Sequence, residues 1–234
     1  MSHRTALELS LSEYGRSVLG APLSYLAPRE KCTILLIAGI HGEESDGVVS
    51  LSRAFRSLSY DDISNGVSAV FCANPDGVAL GTRGNARGVD LNRNFPSSNW
   101  SSDPSSCRWH ADEPISIPIL TGESAASEPE TRGLISLVEF LQPKAVVALH
   151  GPLTCVDDPD ESAMARWIAE RTCLPLVSEI GYPTPGSMGS WAREKGVPII
   201  TWEFPPEGVE TLSRSQVPVL VDLISGNFPE EIEL

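Results

Sequence analysis

What most constrains this chain is a set of apolar runs that end in polar tips. Stretches rich in Val, Ile and Leu lie at about 33–40 (TILLIAGI), 67–73 (VSAVFCA), 144–149 (KAVVAL), 174–179 and 197–203 (VPIITWE). They alternate with segments of helical periodicity at about 45–58, 129–142, 160–173, 187–195 and 208–225. Near-continuous apolar strands have no face to offer water, so the intervening helices must cover both sides of the sheet. The expectation is a three-layer α/β fold with a mainly parallel sheet and helices on both faces. The opening stretch YGRSVLGAPLSYLAP adds an edge hairpin. Residues 74–128 differ, being rich in Asn, Gly, Ser, Pro and Arg with little periodicity. A loop of that length inside a compact unit is usually functional. No repeat or linker divides the 234 residues, so a single domain over 1–234 is expected.

Composition narrows the function. The formal charge is -14 and the 17 Lys and Arg form no cluster, which argues against nucleic acid as a partner. No GxGxxG or GxxxxGK[ST] follows a strand, which argues against a nucleotide-binding protein. No window approaches the roughly 18–20 apolar residues that cross a bilayer, so no membrane partner is expected. The stretch MSHRTALELSLSEYGRSVLG does not read as a signal peptide, and the expected location is the cytoplasm. The five cysteines (Cys32, Cys72, Cys107, Cys155 and Cys173) are odd in number and form no CxxC, which suits reduced thiols. Cys155 reads as a bystander.

Chemistry gathers at the strand tips. His41 and Glu44 follow the first run in LLIAGIHGEES, His150 ends KAVVALH, and Glu203 ends VPIITWE. In open α/β sheets, ligands bind beyond the carboxyl ends of the strands, so these residues can converge. Two imidazoles and a carboxylate make a zinc-ligand set that leaves a coordination position open. A turn histidine at 41 and a capping or core histidine at 150 are the plainer alternatives. Glu203 is either a strand-end carboxylate paired with an arginine or a general base in a dry setting. Ligand set and base together describe metal-assisted amide hydrolysis. The segment NPDGVALGTRGNARGVDLNRNFP, residues 74–96, places Arg83, Arg87 and Arg93 in an otherwise acidic chain. Arg binds carboxylates bidentately, and Asn92 beside Arg93 adds an amide donor. That pairing suggests a carboxylate seat, with another arginine left for an oxyanion.

In this order HxxE, NPDG, DLNRNFP, a strand-ending His and a final Glu resemble the zinc carboxypeptidase family over residues 35–204. The resemblance implies a mixed, mainly parallel eight-stranded sheet and one catalytic zinc ion (Zn2+). It implies His41, Glu44 and His150 as ligands, Glu203 as general base, and Asn92 with Arg93 as the seat of a terminal carboxylate. Asp90 would orient a zinc-binding His, and Arg83 would polarise the carbonyl, with Arg87 as the alternative. The stretches AGIHGEES, ALHGPLTCVDDP and GYPTPGSMGSW are similar to members that act on small murein peptides. Those members cleave the bond between γ-D-glutamate and meso-diaminopimelate during cell-wall recycling. The alternatives are a carboxypeptidase or deacylase for another small amide, and a non-catalytic murein-peptide-binding module. Digestive members often carry arginine where this chain has Glu43, which reads as a site for a substrate ammonium or as a surface acid. Tyr182 lies near the position of a mobile tyrosine without a secure alignment. Diaminopimelate would further need a zwitterionic pocket for its far end, with residues 181–191 as the candidate region. Tryptophans in GYPTPGSMGSW and SSNWSSDPSSCRW look exposed and could line that cleft or a homodimer contact.

Overall fold

The computed structural model describes residues 9–103, 105–108 and 116–229. Eight strands form one mixed sheet. Its centre is β3 (Ile34–Ala38), β4 (Val67–Val70), β7 (Ala145–His150) and β10 (Ile199–Glu203), all parallel and in the order β4-β3-β7-β10. The edge hairpin β1 (Leu11–Arg16) and β2 (Pro22–Leu26) adds antiparallel to β4. At the other side, β8 (Cys155–Asp157) runs antiparallel to β10 and carries the two-residue β9 (Leu176–Val177). The run at 174–179 is therefore mostly not strand. The β8 strand was not expected at all, because three residues are too few to show a period.

Alternate residues of each central strand enter different cores. Leu36, Ala38, Val147, Leu149, Ile200 and Trp202 face helices α1 (Ser45–Ser57), α4 (Ala163–Thr172) and α7 (Val217–Ser225). Leu35, Ile37, Val146 and Ala148 face α3 (Pro129–Leu141) and α5 (Met188–Glu194). All of these strand residues are buried. Burying a Leu or Ile side chain contributes about 1.5–3 kcal/mol, so both layers are needed to offset chain entropy.

The expected helix over 208–225 is two helices, α6 (Val209–Ser215) and α7, joined at Gln216. Pro218 lacks an N–H and is tolerated only in a first turn, which is where the new helix places it. Gln216 then accepts a hydrogen bond from the Trp202 indole at 3.0 Å. The long segment after residue 74 holds the helix α2 (Pro75–Leu80), a 3-10 turn at Leu91–Arg93, and a separate hairpin of β5 (Ser105–Arg108) and β6 (Ser116–Ile119). Trp191 is not exposed as expected. It is buried against Phe95 with ring centres 5.6 Å apart, so it offers nothing to a subunit contact. The side chain of Trp109 lies outside the described residues. Among the described residues no helix is long and apolar enough to cross a membrane.

Candidate functional site

The convergence expected at the strand tips follows from strand order. The β3, β7 and β10 strands are neighbours, and Glu203 pairs in register with His150. The turn after β3 carries His41 and Glu44 over the same edge before α1 begins. Gly42 makes that turn possible, because a Cβ there would lie 2.1 Å from the carbonyl carbon of Gly77. Three groups meet as a result. The Nδ1 of His41 is 2.7 Å from one oxygen of Glu44, and the Nδ1 of His150 is 2.9 Å from the other. The two Nδ1 atoms are 3.2 Å apart, and one donor atom from each residue falls within 4.8 Å of the others. Among the described residues this is the one such grouping of His, Cys, Asp or Glu.

Charge around the group is tightly balanced. Burial and Arg83 act to deprotonate His41, yet Glu44 and Asp90 prevail and raise it to about 9. Burial opposes ionisation of Glu44, but His41 and His150 hold its carboxyl well below the usual carboxylate range. Burial also opposes charge on Asp90, and Arg83 and His41 overcome it. Asp90 lies 3.1 Å from His41 Nε2, so that nitrogen can donate to it, and loss of the second ring proton then leaves the lone pair on Nδ1. Glu203 goes the other way. Burial, reinforced by Glu44, raises it to about 7 against the pull of His150. One of its oxygens accepts from the Leu153 N–H at 3.4 Å.

The arginine-bearing loop is anchored from below. Asn74 caps α2 by accepting from Gly77 N–H, and its amide donates to the carbonyls of Ile40 and Arg83. Arg83 faces the His41, Glu44 and His150 cluster: its Nε donates to Asp90 at 2.8 Å, and Nη1 reaches Glu43 and Glu44 at 3.3 Å each. Arg87 points elsewhere, being 57% exposed and paired with Glu128. Asn92 Oδ1 accepts from the Met188 N–H at 2.8 Å, which fixes the orientation of its amide. Arg93 is buried, donates to the Asn92 carbonyl, and its Nε has no partner among the described residues. Asn94, its neighbour, is structural: it bonds Thr121, Ser124 and Ser127 and accepts from Glu128.

A cleft of about 430 Å³ opens over His41, Glu44, His150 and Glu203 and is lined by Arg83, Asn92, Arg93 and Tyr182. Its far end adds Asp157 and Arg193, which sequence reasoning missed. The only available signal was the polar pair Asp157–Asp158 after an apolar dipeptide. Glu43 is not a free surface acid. It is bonded to Arg83, its second oxygen is buried without a partner among the described residues, and it lines a smaller pocket of about 180 Å³ beside the cleft.

The sequence profile of the family described as Zinc carboxypeptidase matches residues 4–156. The chain belongs to the zinc carboxypeptidase family. Murein peptide amidase A of Escherichia coli (strain K12) is 43% identical over 228 residues, covering 95% of this chain and 93% of that protein. The protein of that name from Vibrio campbellii (strain ATCC BAA-1116) is 39% identical, covering 95% and 90%. The crystal structure of murein-tripeptide amidase from Escherichia coli O157 superposes with a TM-score of 0.89 at 41% identity, covering 96% of this chain and 95% of that one. Carboxypeptidase A from Helicoverpa armigera shares the fold, with a TM-score of 0.74 at 17% identity, covering 94% and 68%. The zinc carboxypeptidase sheet, mixed and mainly parallel with eight strands, is the one described above. The metal of this family is zinc, and the donor set fits it. Two imidazole nitrogens and a carboxylate converge, with a second carboxylate behind one imidazole.

Proposed function

We propose that this zinc carboxypeptidase is a cytoplasmic amidase for murein peptides, cutting the γ-D-glutamyl–meso-diaminopimelate bond of a small peptide within one catalytic domain. The observation that carries the reading is the meeting of His41, Glu44 and His150 on the floor of a cleft that also presents Glu203, Arg83 and Asn92. The amidases to which the chain is similar supply the substrate class. Cys32, Cys72, Cys155 and Cys173 are free thiols, in keeping with a reducing compartment.

His41, Glu44 and His150 would hold the zinc ion. When bound, zinc supplies a Lewis acid for the carbonyl and lowers the pKa of water. The protein's own groups do the rest. Asp90 holds the His41 ring by its Nε2 proton, which keeps Nδ1 basic and aimed. Glu203 takes the proton of the attacking water on a carboxylate oxygen and hands it to the departing amine nitrogen. Its burial disfavours the lone charge and so favours uptake of that proton. Arg83 donates to the oxyanion of the tetrahedral intermediate, and its bond to Asp90 fixes the guanidinium beforehand. Asn92 and Arg93 seat the carboxylate next to the scissile amide.

The test is mass-spectrometric analysis of L-Ala-γ-D-Glu-meso-diaminopimelate digestion, with and without a chelator, beside a plain α-linked dipeptide. Release of free diaminopimelate only without chelator, and faster than dipeptide cleavage, is the expected result. Preference for the dipeptide would make the chain an ordinary carboxypeptidase, and no cleavage of either would make it a binding module.

A further inference from the structure

We infer that Asp157 and Arg193 form the receptor for the charged far end of the leaving group, Asp157 taking an ammonium and Arg193 a carboxylate. The inference rests on the amidase reading and names what that site selects. Strand alternation places Asp157 first. Val156 is wholly buried in one core with Trp202, so Cys155 and Asp157 face the opposite way, beside Glu203 and Thr201 on β10. Asp157 pairs with Thr201, two residues upstream of Glu203, and two residues of strand rise by about 6.6 Å. Asp157 thus lies on the cleft floor beyond the reacting atoms, at a distance that the trimethylene spacer of diaminopimelate can reach.

The other acids around this end are committed or solvated. Asp158 accepts from the N–H groups of Asp160 and Ser162, and Glu194 accepts from Ser98. Asp160 and Glu179 are exposed. Asp157 alone among them is half-buried without a hydrogen-bond partner among the described residues. Burial and the neighbouring Asp158 raise it to about 6, against the pull of Arg193. An ammonium arriving there would relieve that cost. Arg193 makes only a loose contact with Asp160 at 3.9 Å, both being mostly exposed, so its fork can turn to a carboxylate. Opposite charges at one end of a cleft fit a zwitterion and penalise an aliphatic or singly charged side chain.

The experiment compares three tripeptides, L-Ala-γ-D-Glu followed by meso-diaminopimelate, L-lysine or L-2-aminopimelate. Lysine lacks the far carboxylate, and aminopimelate lacks the far ammonium. Arg193→Ala should lower kcat/KM for the diaminopimelate peptide about tenfold more than for the lysine peptide. Asp157→Asn should lower it about tenfold more than for the aminopimelate peptide. Most of each loss should fall on KM. Equal losses on all three peptides, or no loss, would overturn the assignment. A wild-type enzyme that cleaves none of them would instead remove the amidase reading and this inference with it.

Discussion

Replacing Glu203 with Gln keeps the shape of the side chain and removes its charge, which should raise stability while slowing turnover. The carboxyl ordinarily titrates near 4.5, and here burial, with Glu44 adding repulsion, raises it to about 7. The folded metal-free protein therefore holds a proton between those values that the unfolded chain has released. Wild-type stability carried by the neutral form is complete below 4.5 and is lost as pH climbs through 7. The gap corresponds to about 3 kcal/mol at full ionisation, at 1.36 kcal/mol per pH unit. Glutamine mimics the protonated acid at every pH. Urea unfolding of chelated protein should then show Glu203→Gln ahead by under about 1 kcal/mol at pH 5 and by about 3 kcal/mol at pH 8. With zinc restored, the same variant should lose about a thousandfold in kcat. A stability difference that stays flat with pH would refute the buried-carboxylate argument. Turnover close to wild type with zinc bound would refute the general-base assignment.

Asp90→Asn should weaken zinc binding about tenfold to a hundredfold, measured by competition with a chromophoric chelator, because the His41 ring loses its charged acceptor. Arg83→Ala should lower kcat about a hundredfold, whereas Arg87→Ala, which takes a charged partner from the buried Glu128, should cost about 1–3 kcal/mol of stability and leave rates alone. Steady-state kinetics and thermal melts separate the two arginines. Gly42→Ala should destabilise by about 1–3 kcal/mol and weaken metal binding, since its Cβ would strike the Gly77 backbone. A melting curve at wild-type temperature would show that the turn has room after all.

Much of the site could be read from residues alone because each group sits where an apolar run stops. His41, His150 and Glu203 are marked by local pattern, and local pattern survives in a linear sequence. The choice between Arg83 and Arg87 could not be read in this way. It depends on Asn74 tying the loop to the turn after β3, and on Arg87 being drawn to Glu128. The helix break at Gln216 was obscured because the apolar period continues through it, although Pro218 was in plain view. Asp157 was hidden for another reason. Its strand is three residues long and exists because β10 offers an unpaired edge.

The sequence by itself determined the layered α/β class, the buried strands and the chemical kinds gathered at their tips. Periodicity and residue chemistry are properties of neighbours in the chain, so no folding is needed to see them. Tertiary structure alone decided which tips stand side by side, which arginine turns inward, and which acids line the far end of the cleft. Those outcomes depend on sheet order and loop anchoring, where partners as distant as His41 and His150 compete for the same space. Such competition is settled by packing and pairing across the whole molecule.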